Sequence, residues 1–173
     1  QVKIHNYYGP TEAAIDVTAI DLTEQDTMNR VSIGASVANT SIYITNEELR
    51  LQPIGVAGEL IIGGVQVAQG YMNRPELNLE KFIASPFKEG ERLYRTGDLA
   101  CWLPDGNIEY IGRIDNQVKI RGNRVEIGEI ESVLEQSGLV KQCVVLIKKD
   151  KFENQNLIGY ILAGEEYNES ALL

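Results

Sequence analysis

The segment Asn6–Glu12 holds the first residues whose types and spacing could do chemistry. It reads Asn-Tyr-Tyr-Gly-Pro-Thr-Glu and follows apolar Val2 and Ile4. A Gly-Pro-Thr run that leaves a strand lets the backbone approach a ligand closely and presents N–H groups, a hydroxyl and a carboxylate together. Magnesium prefers a carboxylate with phosphate oxygens and water, so the segment favours a phosphate with its Mg²⁺. A turn with a Thr or Glu helix cap is the commoner explanation when the segment is taken alone.

The segment Tyr94–Asp98, Tyr-Arg-Thr-Gly-Asp, is a second candidate and lies inside an otherwise strand-like run. Gly97 in such a run predicts a bulge or a close approach of backbone. The carboxylate of Asp98 could accept two hydrogen bonds from a vicinal diol such as a ribose. The alternative is a bulge in which Asp98 only caps neighbouring backbone amides.

The third candidate is Tyr110–Glu126, which reads Tyr-Ile-Gly-Arg-Ile-Asp-Asn-Gln-Val-Lys-Ile-Arg-Gly-Asn-Arg-Val-Glu. Taken alone, it is typical of a solvated hairpin whose Lys and Arg side chains alternate outward while Val118, Ile120 and Val125 face inward.

The elements that must position these segments are mostly short strands up to residue 127, separated by Gly, Pro, Asn and Asp turn signals. Pro75–Phe82 favours a short helix, because proline suits the first helical position and the acid comes early. The strands are predicted at Ser41–Thr45 with Leu49–Leu51 returning as a hairpin partner, at Gly58–Gly63, and at Leu93–Leu103 and Ile108–Ile114 around the turn Pro104–Asn107.

The pattern changes after Ile114. A tight hairpin is followed by a helix from Ile127, which Gly138 can end. Two strands follow, at Cys143–Ile147 and Leu157–Leu162. The sequence therefore predicts an α+β fold, with a β-rich, barrel-like part over residues 1–114 and a small β-β-α-β-β part over 115–173.

Composition excludes several classes of partner and location. The 173 residues carry 16 Lys and Arg against 25 Asp and Glu, a net charge of −9, which argues against a nucleic-acid or anionic-membrane surface. No apolar run approaches the roughly 18 residues of a membrane span. Two cysteines without paired spacing favour a reducing compartment, so we expect a cytoplasmic location, and the single His5 argues against a histidine-based metal site.

Each motif is weak alone, but together and in this order they closely resemble the adenylation domains of nonribosomal peptide synthetases, within the acyl-adenylate-forming superfamily. The resemblance runs from about Ile4 to at least Ile161. Asn78 departs from it, since the family usually has Thr there. The motifs that carry the resemblance are Asn6–Glu12, Gly58–Leu60, Val67–Tyr71, Arg74–Leu77, Tyr94–Asp98 and Gly112–Glu126.

The resemblance implies an enzyme that activates an amino acid with MgATP to an aminoacyl-adenylate. The acyl group then passes to the phosphopantetheine thiol of a peptidyl carrier protein, next to other synthetase domains. Tyr8 is expected against the adenine, Thr11 at the α-phosphate, and Glu12 at the Mg²⁺. Asp98 is expected to bind both ribose hydroxyls. Three further residues are expected near the nucleotide: Gly9, Tyr110 and Arg113.

The resemblance also assigns residues outside the nucleotide contacts. Asp115 matches the family's hinge, about which the small subdomain rotates. Lys119 lies on the hairpin face that the family turns toward the site for thioester formation. Tyr7, Ile15 and Asp16 match positions of the amino-acid pocket, where an acid favours a cationic or amide-bearing side chain, such as an ornithine-like or glutamine-like substrate.

Two family motifs have no counterpart here, the phosphate-binding loop and a lysine-bearing C-terminal motif. We therefore expect the chain to be a fragment of such a domain that is inactive by itself. Two alternatives stay open: a fragment of a stand-alone acyl-CoA or carrier-protein ligase, and a non-catalytic module that docks a carrier protein.

Overall fold

The computed structural model describes residues 2–23, 31–115, 117–120, 123–151, 153–164 and 168. The contacts between residues divide the chain into two compact units, Gln1–Ile114 and Asp115–Leu173. We call them the first and the second unit and describe each by itself. No helix in the described ranges is long and apolar enough to cross a membrane.

A small antiparallel sheet begins the first unit. It consists of β1 (Ile4–Tyr8), β2 (Thr18–Leu22) and β3 (Ala35–Ser36), in that order. A single 3₁₀ turn at Thr11–Ala13 lies between β1 and β2. The register pairs Tyr8 with Thr18, so the loop between the two strands starts directly after Tyr8.

A five-stranded antiparallel sheet, curled into a half-barrel, forms the rest of the first unit. Its order is β4-β5-β7-β6, and β8 pairs with the far end of β7. A short helix α1 (Pro75–Lys81) precedes β6 and starts with proline as predicted. The strands are β4 (Thr40–Thr45), β5 (Gly58–Gly64), β6 (Phe82–Ala84), β7 (Arg92–Trp102) and β8 (Ile108–Arg113).

Strand β5 is the centre of the first core. Leu60, Ile61 and Ile62 are fully buried although they point alternately to the two faces of the sheet, so both faces are covered. Burying each such side chain contributes about 1.5–3 kcal/mol. The cluster continues into Ile44 and Tyr94 on the neighbouring strands. This packing makes β5 and β7 a rigid base for the polar groups described below.

The second unit contains a hairpin, a helix and a second hairpin. Helix α2 packs Ile127, Ile130 and Leu134 against Val140 and Cys143. Gly138, with φ of +76°, follows the helix in the left-handed conformation that glycine adopts most easily. The strand-rich α+β fold is thus confirmed. The elements are β9 (Val118–Ile120), β10 (Asn123–Val125), α2 (Ile127–Gln136), β11 (Val140–Lys149) and β12 (Gln155–Ala163).

One predicted strand is wrong. The return strand at Leu49–Leu51 is reduced to an isolated bridge between Thr45 and Leu51. The side-chain oxygen of Asn46 accepts hydrogen bonds from the backbone amides of Glu48 and Arg50, at 3.0 and 2.9 Å. Leu49 adopts φ of +59°. This asparagine-centred turn satisfies the amides locally, so no ladder forms.

Candidate active site

Asp98 lies in a bulge of β7. The register pairs Glu59 with Leu99 but Ile61 with Arg95, so the stretch from Thr96 to Asp98 lies opposite Leu60 alone. Gly97 has φ of +70°, a conformation that a residue with a Cβ rarely adopts. The bulge predicted from the glycine is therefore present.

The hydroxyl of Thr96 organises the bulge. It donates to the carbonyl oxygen of Leu60 at 2.5 Å and accepts from the backbone amide of Asp98 at 2.9 Å. The carbonyl of Thr96 accepts from Arg113 Nη1 at 2.8 Å, and that of Gly97 accepts from the amide of Ile114 at 2.8 Å. The extra residues are therefore held by specific hydrogen bonds in place of a regular ladder.

The carboxylate of Asp98 lies between two side chains. Its Oδ1 accepts from Arg113 Nη1 at 2.9 Å, and its Oδ2 accepts from the hydroxyl of Tyr8. The Asp98 side chain is only 10% exposed. Arg113 is its direct partner in the register of β7 and β8, which explains how the ion pair is positioned. The carboxylate contacts side chains, so the predicted alternative, in which it caps backbone amides, does not describe the site.

Tyr8 ends β1 and brings an aromatic ring to the same place. Its ring centroid lies 6.2 Å from that of Tyr110, with an angle of 40° between the planes. Burial raises the pKa of the Tyr8 phenol well above its usual value, and the charge and hydrogen bond of Asp98 raise it further. Tyr8 therefore keeps its proton and acts as a donor. Three separate segments of the chain meet here and bring together Tyr8, Asp98, Tyr110 and Arg113.

The loop after β1 depends on Gly9. A Cβ at this position would lie 2.0 Å from the carbonyl oxygen of Ile15, so the backbones approach too closely for any other residue. The following 3₁₀ turn is capped by Pro10 without a side-chain hydrogen bond. The helix-cap explanation of Thr11 and Glu12 is therefore not realised. Thr11 is exposed, whereas Glu12 is buried.

The carboxylate of Glu12 is supported by a tyrosine. The hydroxyl of Tyr71 donates to Glu12 Oε1 at 2.6 Å. Burial and this hydrogen bond raise the pKa of Tyr71 well above its usual value, so it too remains a donor. The side-chain amide of Asn78 holds the backbone of Tyr71 from both sides, at 2.6 Å to its N–H and 2.9 Å to its carbonyl oxygen.

The sequence reasoning missed Tyr71 and Asn78 as parts of the site. Tyr71 ends the motif Val67–Tyr71, which carries the resemblance but assigns this residue no role in the chemistry. Asn78 stood out only as a departure from the family. The sequence carries no clear signal for this contact, because the asparagine turns that can be predicted locally reach only two residues along the chain, and Asn78 lies seven residues from Tyr71.

The residues around Glu12 fit a magnesium ion. Its carboxylate and the hydroxyl of Thr11 are hard oxygen donors on adjacent residues. Within the described ranges, no group of three or more His, Cys, Asp or Glu side chains is arranged to hold a metal. Magnesium in nucleotide sites is usually bound by one or two carboxylates with substrate phosphates, which is what this donor set offers.

The three expected pocket residues lie near the same loop and are exposed. Tyr7 is 56% exposed and Ile15 is 66% exposed, and Asp16 follows Ile15 on the surface. Ile15 adopts φ of +77°, which is unfavourable for a β-branched residue by about 1–3 kcal/mol. A hydrogen bond from its amide to the carbonyl of Pro10, at 3.1 Å, helps to hold this conformation.

Two expected residues belong to the second unit. Asp115 is exposed, and its Oδ1 accepts from the backbone amide of Gln117 at 3.1 Å. Lys119 is the central residue of β9, and Arg124 lies opposite it in the register of the hairpin.

Comparison with known proteins gives consistent matches. Residues 1–72 match the model of the AMP-binding enzyme family. Tyrocidine synthase 1 from Brevibacillus parabrevis is 50% identical over 173 residues, which are 99% of this chain and 16% of that protein. The chain spans 3% to 16% of the length of the curated relatives it matches.

Two solved structures are similar along nearly the whole chain. Holo-PA1221, an NRPS protein containing adenylation and PCP domains bound to a vinylsulfonamide inhibitor, is 27% identical with a TM-score of 0.86. That match covers 99% of this chain and 30% of the other. A four-domain nonribosomal peptide synthetase bound to AMP and glycine is 42% identical with a TM-score of 0.61, over 98% of this chain and 13% of the other. Motif order, fold and similarity agree, and the chain belongs to the AMP-binding enzymes, as part of the adenylation domain of a nonribosomal peptide synthetase.

Proposed function

We propose that the protein containing this chain activates an amino acid with MgATP and loads it onto a carrier protein. An oxygen of the amino-acid carboxylate bonds to the α-phosphorus, and pyrophosphate leaves. The carrier's phosphopantetheine thiol then bonds to the acyl carbon, and AMP leaves. The observation that carries this proposal is the buried Asp98 carboxylate between Tyr8 and Arg113.

Asp98 has the capacity to bind a ribose diol. An ionised carboxylate offers about four acceptor positions, of which Tyr8 and Arg113 use two in this structure. The remaining positions can accept from the 2′- and 3′-hydroxyls. Because Tyr8 and Arg113 fix both oxygens, the diol finds its acceptors already oriented. The rings of Tyr8 and Tyr110 supply an aromatic surface for the adenine.

Thr11 and Glu12 are assigned to the phosphates. The exposed hydroxyl of Thr11 can donate to an α-phosphate oxygen. The carboxylate of Glu12, oriented by Tyr71, would hold Mg²⁺. When bound, the ion neutralises charge on the phosphates as pyrophosphate leaves. Gly9 is assigned to the nucleotide site on the resemblance, and its missing side chain lets the loop that carries Thr11 and Glu12 pack against the backbone of Ile15.

The second unit is assigned to the thioester step. We propose that Asp115 is a hinge, since the division into units falls at this residue. Lys119 is assigned to the surface used in that step, on the resemblance of its hairpin to the family motif. A cytoplasmic location is part of the same proposal, supported by Cys101 and Cys143, which are buried and not joined in a disulfide.

Tyr7, Ile15 and Asp16 are assigned to the amino-acid pocket. They are grouped at the exposed end of β1 and its following loop, and the strained Ile15 is consistent with a functional position. The carboxylate of Asp16 favours an amino acid with a cationic or amide-bearing side chain.

The test is amino-acid-dependent ATP–pyrophosphate exchange by the full-length protein that contains this chain. We expect exchange by the wild type and a loss of about a hundredfold or more in Asp98→Ala, because the oriented ribose contact is removed. Glu48→Gln is the control, since Glu48 forms an exposed ion pair with Arg50. Carrier-protein binding without amino-acid-dependent exchange would instead identify a non-catalytic docking module.

A further inference from the structure

We propose that Glu59 and Arg95 are positioning residues for Asp98, and that their ion pair sets how strictly the site selects ribose hydroxyls. The inference rests on the proposed nucleotide-binding function. Neither residue contacts the Asp98 carboxylate in the described part of the chain, so their effect passes through the bulge of β7.

A single buried carboxylate connects Arg95, which precedes the bulge, with Gly97 inside it. Glu59 Oε2 accepts from Arg95 Nε at 3.0 Å and from Arg95 Nη2 at 2.6 Å. Its Oε1 accepts from the backbone amide of Gly97 at 3.2 Å. Arg95 and Gly97 flank Thr96, so Glu59 holds the chain on both sides of the residue that starts the bulge.

The need for Glu59 follows from the register. The β5–β7 ladder is interrupted between Glu59 and Ile61, so a regular carbonyl partner does not face the amide of Gly97. A buried amide without an acceptor is unfavourable, and the carboxylate supplies one. The Glu59 side chain is only 8% exposed, and Arg95 is the opposite charge paired with it, so removing either partner would leave the other without its counter-charge.

The consequence reaches Asp98 because it is the next residue. The amide of Asp98 is fixed by Thr96, and the preceding amide is fixed by Glu59. These two bonds set the direction in which the Asp98 side chain leaves the strand, toward Tyr8 and Arg113. A small rotation of the bulge would displace the carboxylate from the diol, and displacements of this kind strongly reduce rates.

The test compares ATP with 2′-deoxy-ATP in pyrophosphate exchange by the full-length protein. The measured quantity is the kcat/KM for ATP divided by the kcat/KM for 2′-deoxy-ATP. Asp98→Asn should bring this ratio close to one. Glu59→Gln, which keeps the side-chain volume, should reduce the ratio by about tenfold through a higher KM for ATP. Combining the two substitutions should reduce it no further than Asp98→Asn alone. The matched control is Glu48→Gln, from an exposed glutamate–arginine pair in the same unit.

A second variant and a second readout separate positioning from folding. Arg95→Gln changes a side chain that is one-third exposed and leaves Glu59 without its charged partner, and it should lower the ratio in the same direction. Amide hydrogen exchange over residues 93–100 should be faster in both variants than in the wild type. The inference would be overturned if a folded Glu59→Gln or Arg95→Gln protein kept both the wild-type ratio of kcat/KM values and the wild-type rate of amide hydrogen exchange. Discrimination retained in Asp98→Asn would overturn the ribose contact itself, and the positioning role with it.

Discussion

The hydroxyl of Tyr8 donates a hydrogen bond to Asp98 Oδ2, although 90 positions separate the two residues in the chain. This bond joins the end of the small sheet to the bulge of the large one. It also makes Tyr8 both an aromatic surface and a positioning donor. The two functions can be separated, because Tyr8→Phe keeps the ring and removes only the hydroxyl.

We expect Tyr8→Phe to raise the KM for ATP by about tenfold while kcat changes less, since a hydrogen bond to a charged group contributes about 1.5–3 kcal/mol. Steady-state exchange at varied ATP measures both constants. Tyr43→Phe is the control, because its hydroxyl donates to a carboxylate, that of Glu91, at 2.8 Å away from the site. An unchanged KM in Tyr8→Phe would show that the bond does not position Asp98.

The raised pKa of Tyr8 predicts its behaviour at high pH. The pKa of the Tyr8 phenol is higher in the folded state than in the unfolded state, where it is about 10. Below about pH 10 both states hold the proton, and the contribution of Tyr8 to stability is complete. Above about pH 10 the unfolded state loses the proton first, so this contribution is lost as pH rises. Absorbance titration should therefore show the same tyrosinate signal for wild type and Tyr8→Phe until the protein unfolds. In denaturant the variant should lack one tyrosinate. A difference already present in the folded proteins near pH 10 would contradict the buried, protonated phenol.

Some of this site could be predicted from the sequence and some could not, for physical reasons. Gly97 predicts the bulge because a glycine inside a strand-like run indicates a bulge or a close backbone approach, whatever the distant residues are. The partner of Glu59 depends on a register between β5 and β7 that local patterns do not determine. The same is true of the pair Tyr71 and Glu12, which are 59 positions apart.

The helices, strands and turns also divide into those that local sequence predicts and those that depend on long-range pairing. The helix start at Pro75 and the turn after Trp102 follow from their own residues. Strand β2 (Thr18–Leu22) was missed, since it is short and forms by pairing with β1. Local chemistry therefore identifies turns, caps and bulges, whereas long-range pairing decides which side chains meet.

Removing the hydroxyl of Tyr71 should weaken the binding of magnesium. In Tyr71→Phe the ring keeps its edge contact with Phe82, whose centroid is 5.4 Å away, but Glu12 loses an oriented donor. We expect the Mg²⁺ concentration for half-maximal exchange to rise by about five- to tenfold. Asn78→Ala should act in the same direction, because it releases the backbone of Tyr71.

Asn78→Thr, which introduces the residue usual in the family, tests how the Asn78 amide acts. The Asn78 amide uses two separate atoms, an oxygen for the N–H and a nitrogen for the carbonyl of Tyr71, whereas threonine offers one hydroxyl oxygen on a shorter side chain. A magnesium dependence between those of wild type and Asn78→Ala is expected. If Tyr71→Phe and Asn78→Ala both leave the magnesium dependence unchanged, Glu12 is not positioned through Tyr71.

Gly9→Ala should disrupt the loop that carries Thr11 and Glu12. The new Cβ would meet the Ile15 carbonyl at 2.0 Å, so the loop must move, and we expect a loss of stability of about 2 kcal/mol or more together with loss of exchange activity. Gly159→Ala is the matched control, since a Cβ there meets no atom within 4 Å. Thermal unfolding and exchange assays are compared for both. Equal behaviour of the two variants would refute the close approach at Gly9.

Asp16→Ala tests the assignment of the amino-acid pocket. If the Asp16 carboxylate pairs with the substrate side chain, exchange supported by a cationic or amide-bearing amino acid should fall by about tenfold or more, because a charged hydrogen bond is lost. Exchange with small aliphatic amino acids should change little. Asp16→Asn separates charge from hydrogen bonding, since an amide partner tolerates it better than a cationic one. A preference for a small aliphatic amino acid that Asp16→Ala leaves intact would contradict the assignment, because the carboxylate would then contact no part of the substrate.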